Sequence, residues 1–167
     1  MSFLTLGIPT KAEVYAELAS KPLKLKALCV EQGNDSSGQL IALEAMLTES
    51  QQTLKTLEFR NFSQRLDKLP TFTKLEKLHF EVDTKSLLPT ISVSTILPNL
   101  SDSLFPNLKM IHFDFGDTDV SEGFIREHFW ETCATPLETV DKLQLGVYCD
   151  PLDLKYLAKI FPRVTHI

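Results

Sequence analysis

The pattern apolar-x-x-apolar-x-apolar recurs along this chain, and no other feature limits its fold so tightly. Leu54-Lys55-Thr56-Leu57-Glu58-Phe59, Leu75-Glu76-Lys77-Leu78-His79-Phe80 and Leu108-Lys109-Met110-Ile111-His112-Phe113 are close copies. Leu25 to Val30 and Val140 to Leu145 are looser ones, Met1 to Leu6 reads in the same frame, and Val164-Thr165-His166-Ile167 starts another. The first apolar residues fall at positions 1, 25, 54, 75, 108, 140 and 164, so the intervals are 24, 29, 21, 33, 32 and 24. Spacings of roughly 20–45 residues are those of stacked supersecondary units, each of which buries its apolar face only against its neighbours.

Within each copy the last two apolar positions are two residues apart, as a strand with one buried face requires. The first apolar position lies three residues earlier, where the chain turns into the strand. Segments between the copies carry a helical period. Thr10-Lys11-Ala12-Glu13 has the form of a capping box ahead of Val14 and Leu18, and Ser36 with Gln39 precedes Leu40, Leu43 and Leu47. Ser121 caps a segment whose Ile125, Phe129 and Cys133 recur every four residues, and Asp150-Pro151 opens one carrying Leu154, Leu157 and Phe161. Pro106, Pro136 and Pro162 separate these segments from the next strand, since proline ends a helix and favours an extended start. Residues 60–74 and 84–107 are poorer in helical signal, and the expectation there is 3₁₀ or irregular structure.

With these residues in view, the chain resembles the leucine-rich-repeat superfamily, most of all the divergent repeats that follow an F-box in ubiquitin-ligase substrate receptors, where FPxLxxLxL recurs. Phe105-Pro106-Asn107-Leu108-Lys109-Met110-Ile111-His112-Phe113 is the best match. The resemblance implies an α/β leucine-rich-repeat solenoid, with a curved parallel sheet on the concave side and helices and irregular segments on the convex side. Residues 1–167 are expected to be a single domain of about six irregular repeats. The Asn or Cys usual after each strand is replaced by Pro9, Gly33, Phe62, Asp83, Gly116 and Tyr148, and no F-box-like segment precedes the repeats. Since Met1 begins inside one strand pattern and Ile167 ends inside another, the expectation is a fragment of a longer protein. The competing fold is an ordinary α/β domain with an accidental pattern, which antiparallel hairpins or outward-facing Leu57, Leu78 and Ile111 would reveal.

Aligning the copies turns the polar positions into columns. Between the two strand leucines stand Thr5, Cys29, Glu58, His79, His112 and Gln144; after the second stand Gly7, Glu31, Arg60, Glu81, Asp114 and Gly146. The resulting candidate face comprises Glu31, Glu58, Arg60, Lys77, His79, Glu81, Met110, His112 and Asp114, with Lys142 and Phe115 beside it. Four acids against one Arg make its middle acidic, so the expected partner is a protein offering a basic or mixed-charge segment.

Other classes of function find little support. A net charge of -5 with both signs dispersed leaves no basic tract for nucleic acid and no cationic face for anionic lipid. No apolar run nears the roughly 18 residues of a spanning helix, and Met1-Ser2-Phe3-Leu4 carries no cationic lead or sustained apolar core, so the expectation is a soluble, unexported protein. Three cysteines, Cys29, Cys133 and Cys149, form no CxxC pair, an odd count that fits reduced thiols in the cytosol, or alternatively the nucleus. No GxGxxG, GKS/T or GxSxG motif occurs, and no base is marked beside a cysteine nucleophile, so no enzyme, catalytic residue, cofactor or metal is expected. His79 and His112 stand in equivalent positions on adjacent copies, about 5 Å apart by strand spacing, which permits a metal site without specifying one. His128, His166 and Trp130 are accounted for by packing.

The function expected is therefore non-catalytic protein recognition by a monomer, in the form of a ubiquitin-ligase substrate-recognition segment by resemblance. The alternative is a ligand-sensing or scaffold segment of an innate-immune or regulatory repeat protein, and the remote alternative a metal-dependent hydrolase built on the His pair.

Overall fold

Six short strands lie side by side in the order in which the chain makes them, every neighbouring pair parallel. They are β1 (Phe3–Leu6), β2 (Ala27–Glu31), β3 (Thr56–Arg60), β4 (Lys77–Glu81), β5 (Met110–Asp114) and β6 (Lys142–Gly146). Helix α1 (Ser37–Ser50) joins β2 to β3, and α2 (Pro151–Ile160) follows β6. The computed structural model describes residues 3–6, 17, 24–31, 37–60, 69–81, 100–114, 135–146 and 151–165. The helical segments expected to follow Thr10 and Ser121, with Val14, Leu18, Ile125, Phe129 and Cys133, fall outside these residues. So do Ser36, Phe115, His128, Trp130, Cys149, Asp150, His166 and the six positions that replace the Asn or Cys ladder.

The register matches the repeat alignment residue for residue. Leu28, Leu57, Leu78, Ile111 and Leu143 stand opposite one another, as do Val30, Phe59, Phe80, Phe113 and Leu145. A one-residue slip in any pair would carry these side chains to the other face, so burial fixes the register. Leu57, Leu78 and Ile111 are all but inaccessible, and the antiparallel alternative is excluded by the pairing.

How the first leucine of each copy also reaches the interior, three residues before the second, is visible in the backbone. Consecutive amides share one acceptor from the preceding unit: Lys55 and Thr56 donate to the Lys26 carbonyl, Glu76 and Lys77 to Lys55, Lys109 and Met110 to Glu76, Asp141 and Lys142 to Lys109. Each shared carbonyl marks the turn into a strand, and the residues just before these four turns, Leu54, Leu75, Leu108 and Val140, are buried, as is Leu25 in the equivalent position. Thr165 donates to the Asp141 carbonyl at 3.4 Å, the same step one unit further on.

Phenylalanines line up behind the strands. Phe59 stacks on Phe80 with centroids 5.8 Å apart, and Phe80 on Phe113 at 5.4 Å; deeper in, Phe72 and Phe105 stack at 5.6 Å. Each buried ring contributes roughly 1.5–3 kcal/mol by leaving water. Offset stacking adds about 0.5–1.5 kcal/mol per pair. Helix α1 supplies Leu43, Met46 and Leu47 to the same core and α2 supplies Leu157 and Ile160, with Phe161 just beyond. Leu154, expected on the buried stripe of α2, is instead 45% exposed and lines an open apolar cleft with Leu143, Leu157, Ala158, Phe161 and Val164.

The two poorer connectors form turns where they are described. The Leu104 and Phe105 amides donate to the Ser101 carbonyl, and the Phe72 amide to the Leu104 carbonyl. Side chains tie one turn to the next. Asn107 Nδ2 donates to the Thr73 carbonyl at 2.7 Å, and the Asp102 carboxylate accepts from the Glu138 amide and the Thr139 hydroxyl. No helix among the described residues is long and apolar enough to cross a membrane.

Candidate binding face

Alternation makes the face. In β3, β4 and β5 the residues at positions one, three and five of the strand point away from the core, and their side chains range from half-buried to exposed. Parallel pairing at one register then sets Glu58, His79 and His112 in one row, and Arg60, Glu81 and Asp114 in the next. Glu31, Lys77 and Met110 occupy the same side, Lys77 exposed and the other two half-buried. The sheet thus brings all nine sequence-predicted residues onto one surface, across β2 to β5.

Side-chain contacts organise this surface around Glu58. Its Oε1 accepts from Arg60 Nε at 2.6 Å and lies 3.3 Å from His79 Nδ1, while Arg60 Nε also approaches Glu81 Oε2 at 3.2 Å. Arg60 therefore bridges two carboxylates, and Glu58 in turn holds its guanidinium pKa above the ordinary arginine value. The His79 ring stacks on His112, centroids 4.2 Å apart and planes 9° from parallel. Burial pushes the His79 pKa below the usual 6.5 and the neighbouring His112 pushes the same way, against the opposing pull of Glu58, Glu81 and Asp114. Like charges at this separation repel, so the stack disfavours protonation of His79 while its neighbour is charged.

Cys29 shares the column of Glu58 yet is buried, at 2% exposure. Burial first, and then the charge of Glu58, push its thiol up to about 11, which leaves almost no thiolate at neutral pH. Position in a column is thus no guarantee of access. At the other edge Gly146 leaves room for its neighbour: a Cβ there would meet Asp114 Oδ1 at 3.0 Å.

A second charged feature, absent from the polar columns, lies at the strand starts. The residue after the first leucine of each copy is Lys26, Lys55, Glu76, Lys109 or Asp141, so lysines gather where the strands start. Lys55 Nζ pairs with Glu76 Oε1 at 2.8 Å, holding that carboxyl below its ordinary range, beside a shallow cleft lined by Thr73, Lys74, Asn107 and Lys109. The available signal was the lysine recurrence inside the repeat itself. Across the sheet the charge therefore runs from mixed but lysine-rich at the strand starts to mainly acidic at Glu58, Glu81 and Asp114.

Among the described residues of this face, Cys29 is buried with its thiol pushed up to about 11, and the two imidazoles stack on each other. Comparison of the chain with protein-family models, with curated proteins and with solved structures gives no match.

Proposed function

We propose that the chain is a stretch of leucine-rich-repeat solenoid whose open sheet face recognises another protein. One observation carries the reading: a parallel sheet with one polar side. Parallel sheets of ordinary α/β domains are covered on both faces and read as continuous apolar runs. Here β3, β4 and β5 each alternate buried with half-exposed residues, and the non-core side carries Glu58, Arg60, His79, Glu81, His112 and Asp114. Strand order equal to chain order, and the step repeated at each strand start, support a modular stack in the same way.

On this reading the partner offers lysines or arginines to Glu31, Glu58, Glu81 and Asp114, with Met110 and the His112 ring as less polar contacts. The resemblance of Phe105 to Phe113 to FPxLxxLxL makes choosing proteins for ubiquitination the specific form of the activity, performed by a monomer.

The test is capture of partner proteins by the wild-type chain and by Glu81→Lys/Asp114→Lys, over a series of salt concentrations, with circular dichroism to verify folding. Loss of a defined set of partners from the folded variant, with a flatter salt dependence of whatever remains, is the expected result. Identical capture by both chains eliminates the face.

A further inference from the structure

A polar atom on this face has no counterpart. Nε2 of His79 is buried and has no hydrogen-bond partner among the described residues. Leaving such a nitrogen unsatisfied is unfavourable, so a ligand for it stabilises the fold. The other ring nitrogen, Nδ1, faces Glu58 Oε1 at 3.3 Å. A carboxylate there draws the imidazole proton to Nδ1 and leaves the lone pair on Nε2, the outer-shell arrangement that orients metal-binding histidines. One ligand atom each from His79, His112 and Asp114 lie within 4.8 Å of one another. We propose that His79, His112 and Asp114 bind a divalent transition-metal ion of the zinc class, with Glu58 as the positioning residue behind His79.

The donor chemistry selects the ion. Two imidazoles and one carboxylate suit zinc and its borderline neighbours, whereas calcium and magnesium prefer shells of oxygen alone, which a donor set with two imidazoles does not supply. Three protein donors leave a further position for water or for a side chain of a bound partner. The site needs both rings as bases, so metal affinity falls as they take up protons. Donor atoms in a tetrahedral zinc site stand roughly 3.3 Å apart, given bonds of about 2.0–2.1 Å. Closing from 4.8 Å is a side-chain movement. With planes only 9° apart, lone pairs lying in the two ring planes do not converge on one ion, so binding turns one ring out of the stack.

That turn makes the proposal testable on the wild-type chain. Zinc chloride is titrated into the chelator-stripped protein by calorimetry at pH 7.5, and imidazole ¹⁵N resonances are followed in parallel. Expected are one ion per chain, a shift of the His79 Nε2 resonance, and weaker binding as the pH falls. His79→Gln and His112→Gln should abolish saturable binding, and Glu58→Gln should weaken it about 10-fold or more. Magnesium should give no saturable heat. The proposal is overturned if zinc gives no saturable heat, if it leaves the His79 resonances in place, or if binding survives both His variants and disappears instead on alkylating the thiols. The outcome is independent of whether the face binds a protein.

Discussion

Phe80 lies flat against Phe113, their ring centroids 5.4 Å apart and their planes 11° from parallel. Phe80 also meets Phe59 on its other side, so this ring is the middle plate of a three-ring stack running across β3, β4 and β5. Phe80→Ala should cost about 3–5 kcal/mol, since it removes a buried ring and leaves a cavity between two others. Phe80→Leu, which keeps most of the volume, should cost about 1.5 kcal/mol or less. Guanidinium unfolding checks both; equal losses would show that the rings are not stacked.

Ser50, the last residue of α1, is fully buried, and its hydroxyl has no hydrogen-bond partner among the described residues. Ser50→Ala removes the unsatisfied group without leaving a sizeable void. The unfolding midpoint should stay level or rise by as much as about 1 kcal/mol in stability. A clear loss would reveal a partner for that hydroxyl.

His79 makes the fold sensitive to acid. Its folded pKa lies below the 6.5 of the free side chain, so between the two values the unfolded chain binds the proton more readily. The stability this residue contributes is complete above pH 6.5 and is lost as the pH falls through the gap towards the folded value. In the presence of chelator, the wild-type midpoint should fall between pH 7 and about 5, ahead of most carboxylate titration, and His79→Gln should flatten that slope. A slope unchanged by the substitution refutes the assignment.

Cys29 should resist alkylation while the chain is folded. Its thiol pKa near 11 and its burial both suppress the reactive thiolate. Peptide-level mass spectrometry after iodoacetamide treatment at pH 8 should show Cys29 labelled only when denaturant is added. Glu58→Gln, by removing the neighbouring negative charge, should speed its labelling.

Much of this architecture was legible in the residues because it rests on periodicity. Leucines spaced two apart set the buried face of each strand, and aligning five copies reproduced the register of β2 to β6 together with the rows of Glu58-His79-His112 and Arg60-Glu81-Asp114. What periodicity does not encode is depth. Cys29 belongs to an outward column yet is covered, Leu154 belongs to an apolar stripe yet is exposed, and both outcomes depend on neighbours from distant parts of the chain. Nor does spacing report which partners a side chain chooses. Arg60 could have faced either adjacent strand, and its bridge from Glu58 to Glu81 follows from rotamers that no pattern specifies.

Because each strand borders only those made just before and just after it, no level of the sheet is tailored to a distant one. Leu57 with Phe59 and Ile111 with Phe113 present nearly the same two side chains to β4 from opposite sides. The two strands flanking β4 thus carry matching apolar pairs, Leu57 against Ile111 and Phe59 against Phe113. A sheet so built carries one apolar layer unchanged from strand to strand while each strand keeps a polar row of its own.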